Sequence, residues 1–157
     1  MKRIDSIKQI MDNITDELVI TSTGKISREV FNVKDRPANF YVMGSMGASL
    51  GIGIGLALHT KRNVHVLAGD GDILMSLSTL VLMNKLKLSN LKLTILDNNC
   101  FGATGGQRTC SDAVDFTKIC SHNCKVISVE PIESGVPRVN LSHKEIMERF
   151  YNEVNKK

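Results

Sequence analysis

The chain has 157 residues, of which 42% are hydrophobic and 23% charged, and its formal net charge is +4. This length and composition fit one globular domain and exclude a second domain, a long disordered tail and a low-complexity linker. The lysines and arginines are scattered and do not form the clustered basic stripe typical of nucleic-acid-binding proteins. We therefore expect a single domain, residues 1–157, with no nucleic-acid partner.

The N-terminal segment MKRIDSIKQIMDNI is charged and amphipathic and lacks the uninterrupted apolar core of a signal peptide. The longest apolar run, around residues 43–58, is rich in glycine and short for a membrane-spanning helix. Both features favour a cytoplasmic protein without a membrane partner. Because that compartment is reducing and a chain of this size folds without cross-links, the four cysteines are expected to remain thiols.

Predicted strands and helices alternate along the chain. Residues 17–24, ELVITSTG, and residues 63–71, NVHVLAGDG, are β-branched runs that end at glycine and predict strands. Residues 45–59 between them are small and apolar, as in a helix packed tightly on a sheet. A second helix is predicted over residues 76–88 and a third strand over residues 91–97. Strands joined by helix-length connections pair in parallel, so the predicted fold is a three-layer α/β domain with helices on both faces of the sheet.

Two polar clusters follow successive predicted strands: GDG at residues 69–71 and DNN at residues 97–99. Ligands of such sheets bind outside the carboxyl ends of the strands, so the clusters are expected to lie side by side. Asp70, an asparagine amide, a main-chain carbonyl and two phosphate oxygens would form an all-oxygen set suited to Mg²⁺. Exposed N–H groups ahead of the following helix would suit a phosphate. Either cluster alone is more simply an ordinary turn.

Together, in this order and spacing, the clusters resemble the thiamine diphosphate motif, in which GDG is followed by NN. Three further stretches are similar to the thiamine-diphosphate-binding subunit of the sulfopyruvate and phosphonopyruvate decarboxylase family. They are FYVMGSMGASLGIGIGLAL at 40–58, LDNNCFGATGGQRTCS at 96–111 and GVPRVNLSHKEIMERF at 135–150. The resemblance covers nearly the whole chain. It implies a thiamine-diphosphate-binding (PP-type) domain with thiamine diphosphate and Mg²⁺ as cofactors.

The activity implied by the resemblance is that of a thiamine-diphosphate-dependent carboxy-lyase acting on a small anionic 2-oxoacid. Sulfopyruvate, which would give sulfoacetaldehyde and CO₂ in coenzyme M biosynthesis, is the leading substrate. Phosphonopyruvate or another 2-oxoacid is the alternative within this class. The β subunit of a 2-oxoacid:ferredoxin oxidoreductase shares GDG and TGGQ, but its usual iron–sulfur cysteine spacing is not evident here. A non-catalytic module that retains the cofactor site is the alternative from a different class.

The family's roles can be carried over residue by residue. The metal-binding asparagine lies four residues before a glycine, here Gly102, which assigns that role to Asn98 and leaves Asp97 in the place of the first asparagine. The main-chain carbonyl two residues later belongs to Cys100. The implied metal ligands are therefore Asp70, Asn98 and Cys100. The implied cofactor-binding residues are Gly44, Ser45, Met46, Gly69, Asp70, Gly71, Asp72, Asn98 and Cys100.

Two family positions concern the shape of the cofactor and the approach of the substrate. The carbonyl of Gly44 matches the acceptor for the aminopyrimidine, and Met46 matches the bulky residue that wedges the cofactor into its bent form. A methionine more commonly just packs in a core, which is the alternative for Met46. The TGGQ residues Thr104, Gly105, Gly106 and Gln107 are expected to form a loop on the substrate side.

One part of the family's site is expected elsewhere. The glutamate that protonates the aminopyrimidine belongs to a pyrimidine-binding domain, which we expect on a separate α subunit, so no catalytic residue is assigned to this chain. The protein should then be a hetero-oligomer and inactive alone. Against the family pattern, about thirty residues, roughly one helix and its connection, are missing near residues 124–131, and an edge strand is expected to be lost with them.

Other residues suggest weaker hypotheses. Cys110, Cys120, His122 and Cys124 have zinc-ligand side chains, but their spacing is poor and residues 120–124 are predicted to be helical. Arg108 could contact a sulfonate or phosphonate, or could be a solvated loop residue. His65 lies inside a predicted strand and is expected to be a core residue, not a catalytic one.

Overall fold

The computed structural model describes residues 1–131 and 135–156, which form seven strands, seven α-helices and one short 3₁₀ helix (Ser111–Ala113). The strands are β1 (Leu18–Thr21), β2 (Asn39–Tyr41), β3 (Val64–Gly69), β4 (Leu91–Asp97), β5 (Cys100–Phe101), β6 (Gln107–Arg108) and β7 (Cys124–Ser128). The helices are α1 (Arg3–Asp12), α2 (Lys25–Lys34), α3 (Ser49–His59), α4 (Asp70–Met75), α5 (Leu77–Leu86), α6 (Phe116–Ile119) and α7 (His143–Val154).

Five strands form one parallel sheet in the order β2-β1-β3-β4-β7, and β5 and β6 form a separate antiparallel hairpin. The three predicted strands are present as β1, β3 and β4, and the two predicted helices correspond to α3 and α5. Helix α2 and strand β2 were not predicted, because residues 25–41 mix charged and apolar side chains without a long apolar run. Their apolar positions become recognisable only once they pack on the sheet.

Apolar side chains of each strand alternate between the two faces of the sheet. Leu18 and Ile20 of β1 contribute to a core under α3, α4, α5 and α6. Val19 of β1 and Leu67 of β3 contribute to a second core under α1 and α2. Helix α7 runs along the β2 edge, where the rings of Phe150 and Phe40 lie 5.3 Å apart between centroids. Helices therefore cover both faces, which confirms the predicted three-layer architecture.

The helix after β3 begins earlier than predicted. It starts at Asp70, not at residue 76, and the chain breaks at Ser76 (φ −135°, ψ 43°) to give α4 and α5 as separate helices. Asp70 and Asp72 occupy the first turn of α4, where acidic side chains interact favourably with the helix dipole. Gly69 is therefore the N-cap of α4, and Asp70 and Gly71 lie in its first turn and not in a loop ahead of a helix.

The predicted helix over residues 120–124 is also wrong. Helix α6 ends at Ile119, and Asn123 adopts a left-handed conformation (φ 51°) immediately before β7 begins at Cys124. A helix cannot continue through such a residue. The Cys120–Cys124 segment is instead the tight connection between α6 and the edge strand.

Two further features of the described residues bear on the fold. Arg3 of α1 and Glu29 of α2 form a bidentate ion pair, Nε to Oε2 at 2.8 Å and Nη2 to Oε1 at 2.9 Å, with both side chains almost fully buried. This pair joins the two helices on the second face. Within residues 1–131 and 135–156, no helix is long and apolar enough to cross a membrane.

Candidate cofactor and metal site

The site is a cleft of about 480 Å³ at the carboxyl ends of β1, β3 and β4. The backbone register places Gly69, the last residue of β3, opposite Leu96 of β4, so the loops that follow these strands are neighbours. The structure therefore brings the GDG and DNN clusters together, as the parallel topology predicts. Residues from both clusters line the cleft, together with Met46, Cys100, Thr104 and Gln107.

Three candidate metal ligands converge at one end of the cleft. The inward-facing amide atom of Asn98 lies 3.1 Å from Oδ1 of Asp70 and 2.9 Å from the carbonyl oxygen of Cys100. A half turn of the amide exchanges its oxygen and nitrogen. With nitrogen inward, Asn98 donates hydrogen bonds to both neighbours. With oxygen inward, the amide oxygen of Asn98 lies about 3 Å from each of the other two oxygens.

The spacing of this cluster can be compared with that of a magnesium site. Mg²⁺ binds oxygens at 2.0–2.1 Å in octahedral geometry, so adjacent ligands lie about 3 Å apart. The two separations at Asn98 have this value. A carboxylate, an amide oxygen and a main-chain carbonyl are also the ligand types that a hard cation takes. The residues present therefore fit a divalent metal, with other coordination positions left for phosphate oxygens.

The carboxylate of Asp70 is nearly fully buried and fixed by its neighbours. The hydroxyl of Thr109 donates a hydrogen bond to Oδ2, which leaves Oδ1 facing Asn98. Burial, together with the nearby charge of Asp97, raises the pKa of Asp70, while the Thr109 hydrogen bond acts in the opposite direction. A cation beside Oδ1 would compensate for the unfavourable burial of this negative charge.

The loop that carries Asn98 is held by the segment that returns after β6. Ser111 Oγ donates to Oδ1 of Asp97 at 2.8 Å, and the N–H of Thr109 donates to the carbonyl of Asn99 at 3.3 Å. The N–H of Asn99 also donates to Oδ1 of Asp97 at 2.9 Å. Asp97 therefore stabilises the turn that carries Asn98, because its carboxylate accepts hydrogen bonds from this loop and from Ser111.

Asp72 connects the GDG turn to the GSMG segment. Its Oδ1 accepts a hydrogen bond from the N–H of Gly47 at 2.8 Å, and its Oδ2 accepts one from the hydroxyl of Ser49 at 2.5 Å. Burial raises the pKa of Asp72, and these two hydrogen bonds oppose that effect. Asp72 therefore acts on the predicted site by positioning the loop ahead of α3.

That loop has an unusual backbone. Gly44, Ser45 and Gly47 all have positive φ, at 70°, 42° and 95°. Glycine tolerates this region, whereas a serine there is strained. The loop delivers the Met46 side chain to the cleft, where it remains 40% exposed. Met46 thus lines the cleft and is not a buried core residue.

Gly71 lies beneath the side chains that close the floor of the cleft. A Cβ at this position would come within 2.5 Å of Cε1 of Phe101 and 3.1 Å of Cε of Met46. Any larger residue would displace both side chains. The second glycine of GDG is therefore required by close packing, since its backbone conformation is ordinary.

The TGGQ residues form the exposed turn between β5 and β6. Gly105 and Gly106 have φ of 119° and 79°, and Gln107 Nε2 donates to the carbonyl of Thr104 at 3.0 Å. The hydroxyl of Thr104 in turn donates to Oε1 of Gln107 at 3.2 Å. Thr104 and Gln107 reach the cleft, while the two glycines lie outside its lining. The loop is preformed and sits on the rim.

Sequence reasoning missed part of the cleft. Thr23 and Gly24, between β1 and α2, and Lys25, the first residue of α2, line it directly, and Gly24 has a positive φ of 86°. The STG ending of the first predicted strand was the available signal, because ligands bind at all the carboxyl ends of such a sheet. Thr109 was also missed, since nothing in its sequence context indicates a contact 39 residues away.

The other candidate residues lie apart from the cleft. Arg108 forms an exposed ion pair with Asp112, Nη2 to Oδ2 at 2.6 Å. His65 is buried, and its Nε2 lies 2.9 Å from the hydroxyl of Thr94, as expected for a core residue. Within the part of the chain that the structure describes, no three histidine, cysteine, aspartate or glutamate side chains are grouped to hold a metal, which argues against the zinc hypothesis.

The four cysteines are free thiols, as expected. Cys110 is exposed, whereas Cys120 is fully buried. Burial raises the pKa of Cys120 and raises that of Cys124 to about 12. Burial therefore keeps these two thiols protonated at neutral pH.

Comparisons with known proteins agree on the family. The C-terminal TPP-binding domain of thiamine pyrophosphate enzymes matches residues 22–139. Sulfopyruvate decarboxylase subunit beta of Methanothermobacter thermautotrophicus is 37% identical in an alignment that covers 98% of this chain and 96% of that protein. Phosphonopyruvate decarboxylase of Streptomyces viridochromogenes is 40% identical over 76% of this chain, but only 30% of that longer protein is covered.

A solved structure shares the fold. A putative thiamin diphosphate-dependent enzyme from Mycobacterium smegmatis superposes with a TM-score of 0.56 at 15% sequence identity. The match covers 83% of this chain and 31% of that one. At this identity the likeness supports the architecture and says nothing about activity.

Proposed function

The chain belongs to the sulfopyruvate decarboxylase β-subunit family of thiamine pyrophosphate enzymes, and from that premise we propose that it is the cofactor-binding half of a 2-oxoacid decarboxylase. Its cofactors would be thiamine diphosphate and Mg²⁺. Its substrate would be sulfopyruvate, converted to sulfoacetaldehyde and CO₂ for coenzyme M biosynthesis in the cytoplasm. The observation that carries the proposal is the convergence of Asp70, Asn98 and the Cys100 carbonyl in one cleft.

In this proposal the chain provides binding and orientation. Asp70, Asn98 and Cys100 would hold the metal, and Gly69, Gly71 and Asp72 would shape the surrounding turn. When bound, thiamine diphosphate would supply the electron sink for the bonding pair that the substrate carbon keeps when CO₂ leaves. The Gly44 carbonyl and Met46 would set the conformation of the cofactor, and the strained Ser45 lies between them.

The substrate would approach from the side of the TGGQ turn. Thr104 and Gln107 offer polar groups at the rim, and Lys25 lines the same cleft. A 2-oxoacid that carries a sulfonate has two anionic groups, so a cationic side chain here would favour its binding. We assign this role to Lys25 and not to Arg108, because Arg108 is paired with Asp112 outside the cleft lining.

The activating glutamate is proposed to come from a pyrimidine-domain α subunit. The carboxylates among the described residues that line the cleft are those of Asp70 and Asp72. Asp70 accepts from Thr109 and faces Asn98, and Asp72 accepts from Gly47 and Ser49. Both carboxylates are therefore engaged by groups of this chain. The "subunit beta" designation of the Methanothermobacter relative also implies another subunit in that enzyme.

We also propose that a family segment is missing near residues 124–131. The Methanothermobacter alignment spans 177 positions, at least 20 more than the 157 residues of this chain. Beside the start of β7, a groove of about 640 Å³ is open on the second face of the sheet, where Lys92, Thr94 and Lys125 line it. A helix and its connection would fit over this face. The polar lining explains how the shortened chain can leave it exposed to water.

One assay distinguishes the proposed function from two alternatives. The chain, co-purified with the pyrimidine-domain subunit of its own organism, would be tested for CO₂ release from sulfopyruvate and from phosphonopyruvate. The proposal predicts turnover of sulfopyruvate that requires both subunits. Preferential turnover of phosphonopyruvate would transfer the assignment to that enzyme. Cofactor binding without turnover of either acid would favour a non-catalytic module and contradict the proposed activity.

A further inference from the structure

The buried ion pair between Arg3 and Glu29 forms part of the wall of the cleft. Arg3 lines the cleft although only 6% of its side chain is exposed, and Glu29 is fully buried behind it. A buried ion pair stabilises a fold little more than apolar packing would, because the cost of desolvation offsets the attraction between the charges. The pair is therefore weak evidence for a purely structural role of Arg3.

The pairing with Glu29 determines how the guanidinium group is oriented. Glu29 accepts hydrogen bonds from Nε of Arg3 at 2.8 Å and from Nη2 at 2.9 Å. Among the residues that the structure describes, the hydrogen bonds of the Arg3 side chain use only these two nitrogens. Because a guanidinium group is planar, its other edge, formed by Nη1 and the second N–H of Nη2, points away from Glu29. Such an edge can donate to two oxygens of a phosphate group at once.

Both residues are held by segments that surround the cleft. Glu29 lies one turn into α2, whose first residue, Lys25, also lines the cleft. The N–H of Glu130, just after β7, donates to the carbonyl of Met1 at 3.0 Å and so fixes the chain directly before Arg3. The guanidinium group is therefore preorganised, and little conformational entropy would be lost when it binds an anion.

The depth of Arg3 in the cleft indicates which anion it would meet. Arg3 and Asp70 are both buried, at 6% and 2% exposure, whereas Thr104 and Gln107 at the rim are exposed. Asp70 belongs to the proposed metal site, where phosphate oxygens would take the remaining coordination positions, while the substrate would approach from the rim. The carboxylate of Asp70 offsets part of the charge of the metal, so a diphosphate here would gain from a further cation.

We propose that Arg3 is an anion-binding residue of the cofactor site and that its outer guanidinium edge binds the diphosphate of thiamine diphosphate. Glu29 is then the positioning residue that holds this guanidinium group. The inference rests on the proposed function, because it takes the cofactor from it. It extends the site to α1 and α2, which precede all of the motif residues in the chain.

The test measures the binding of thiamine diphosphate and of inorganic diphosphate by calorimetry, with Mg²⁺, in the chain co-purified with its pyrimidine-domain subunit. Arg3→Met combined with Glu29→Met removes both charges and leaves no unpaired charge buried, so this double variant should fold. Arg3→Lys keeps the charge but cannot present two parallel N–H donors. The control is Arg149→Gln combined with Asp35→Asn, which removes an ion pair outside the cleft lining, Nη2 to Oδ2 at 2.9 Å. The thermal unfolding midpoint reports the folding of each variant.

The double variant should bind both diphosphates at least about 10-fold more weakly than the wild type, since a charge-assisted contact is lost. Arg3→Lys should have an intermediate affinity, and the control should bind as the wild type does. Inorganic diphosphate lacks the thiamine part of the cofactor. A similar loss for both ligands would therefore place the contact of Arg3 at the phosphates.

Several results would overturn the inference. Wild-type affinity for both diphosphates in the folded double variant would do so, as would weaker binding of thiamine diphosphate with unchanged binding of inorganic diphosphate. Unchanged affinity for both, with a raised KM for the 2-oxoacid, would assign Arg3 to the substrate instead. If the double variant does not fold, Arg3→Lys provides the same comparison, and wild-type affinity in that variant contradicts the inference.

A failure of this inference is distinct from a failure of the proposed function. If the wild type binds no thiamine diphosphate in the presence of Mg²⁺, the proposed function is wrong and the inference fails with it. If the wild type binds the cofactor and the Arg3 variants bind it equally well, only the role of Arg3 is refuted.

Discussion

The hydroxyl of Thr109 and the carboxylate of Asp70 form a buried hydrogen bond between the segment that follows the TGGQ turn and the GDG turn. Thr109 occupies Oδ2 and leaves Oδ1 directed at Asn98. The segment after the TGGQ turn and the predicted metal ligand are therefore joined by a direct hydrogen bond. A side chain without its own contact to metal or cofactor can still determine how well the metal ligand is oriented.

The first prediction concerns this bond. Thr109→Val removes the hydroxyl at nearly constant volume and should weaken Mg²⁺-dependent binding of thiamine diphosphate about 10-fold, since positioning partners of metal ligands typically contribute that much. Thr109→Ser keeps the hydroxyl and should restore binding. Calorimetric titration of thiamine diphosphate at several Mg²⁺ concentrations would compare the two variants. If the Ser and Val variants bind equally, the hydroxyl has no orienting role.

The second prediction concerns Asp72. Asp72→Asn keeps one acceptor oxygen and turns an NH₂ group toward Gly47 or Ser49, so both hydrogen bonds lose their charged acceptor, at a cost of about 1–3 kcal/mol in the free energy of unfolding. The loop that carries Met46 should then loosen, and thiamine diphosphate affinity should fall. Asp112→Asn, at an exposed carboxylate, is the control for loss of a charge. Unchanged affinity in a destabilised Asp72→Asn protein would limit Asp72 to a role in folding.

The third prediction separates two cationic side chains. Lys25 lines the cleft, whereas Arg108 is paired with Asp112 on the exposed hairpin. In the complete enzyme, Lys25→Gln should raise KM for the anionic 2-oxoacid about 10-fold, the effect of one lost charge-assisted hydrogen bond. Arg108→Gln should change KM little. The reverse pattern in steady-state kinetics would show that the hairpin closes onto the substrate.

The fourth prediction concerns acid stability. Burial, with a smaller effect from Lys92, lowers the pKa of His65 to about 4. In the unfolded chain a histidine titrates near pH 6.5, so between about pH 6.5 and pH 4 only the unfolded state takes up this proton. Neutral His65 therefore contributes to the free energy of unfolding above pH 6.5. This contribution, up to about 3 kcal/mol, is lost as the pH falls from about 6.5 to about 4.

Urea unfolding at pH 7 and pH 4.5 measures this dependence. In His65→Asn the pH dependence should be smaller than in the wild type, because an amide can bond to Thr94 without titrating. His143→Asn, at an exposed histidine, should leave it unchanged. If the free energy of unfolding changes equally between pH 7 and pH 4.5 in all three proteins, His65 is not the source of the pH dependence.

Much of the site was predictable from sequence because topology and motif indicate the same place. A parallel sheet brings the ends of β3 and β4 together, so GDG and DNN had to be neighbours once the strands were recognised. Thr109 was not predictable in this way. It is a single polar residue after β6, and its relation to the cleft depends on tertiary packing between distant segments.

Errors in the predicted elements have similar causes. The helix start at Asp70 was missed because glycines flank the aspartate. This local composition is typical of a turn, whereas in the structure Asp70 and Asp72 lie in the first turn of a helix. The helix predicted over residues 120–124 was wrong because the left-handed conformation of Asn123 depends on how β7 enters the sheet. The roles of the cofactor-binding residues remain predictions.

The most direct test of the central claim is a calorimetric titration of thiamine diphosphate into the chain co-purified with its pyrimidine-domain subunit. It would be run with Mg²⁺ and with EDTA, for the wild type, Asp70→Ala and the control Asp112→Ala. We predict metal-dependent binding in the wild type and the control, and its loss in Asp70→Ala. Binding that is unaffected by EDTA, or retained at wild-type strength in Asp70→Ala, would contradict a metal site at Asp70, Asn98 and Cys100.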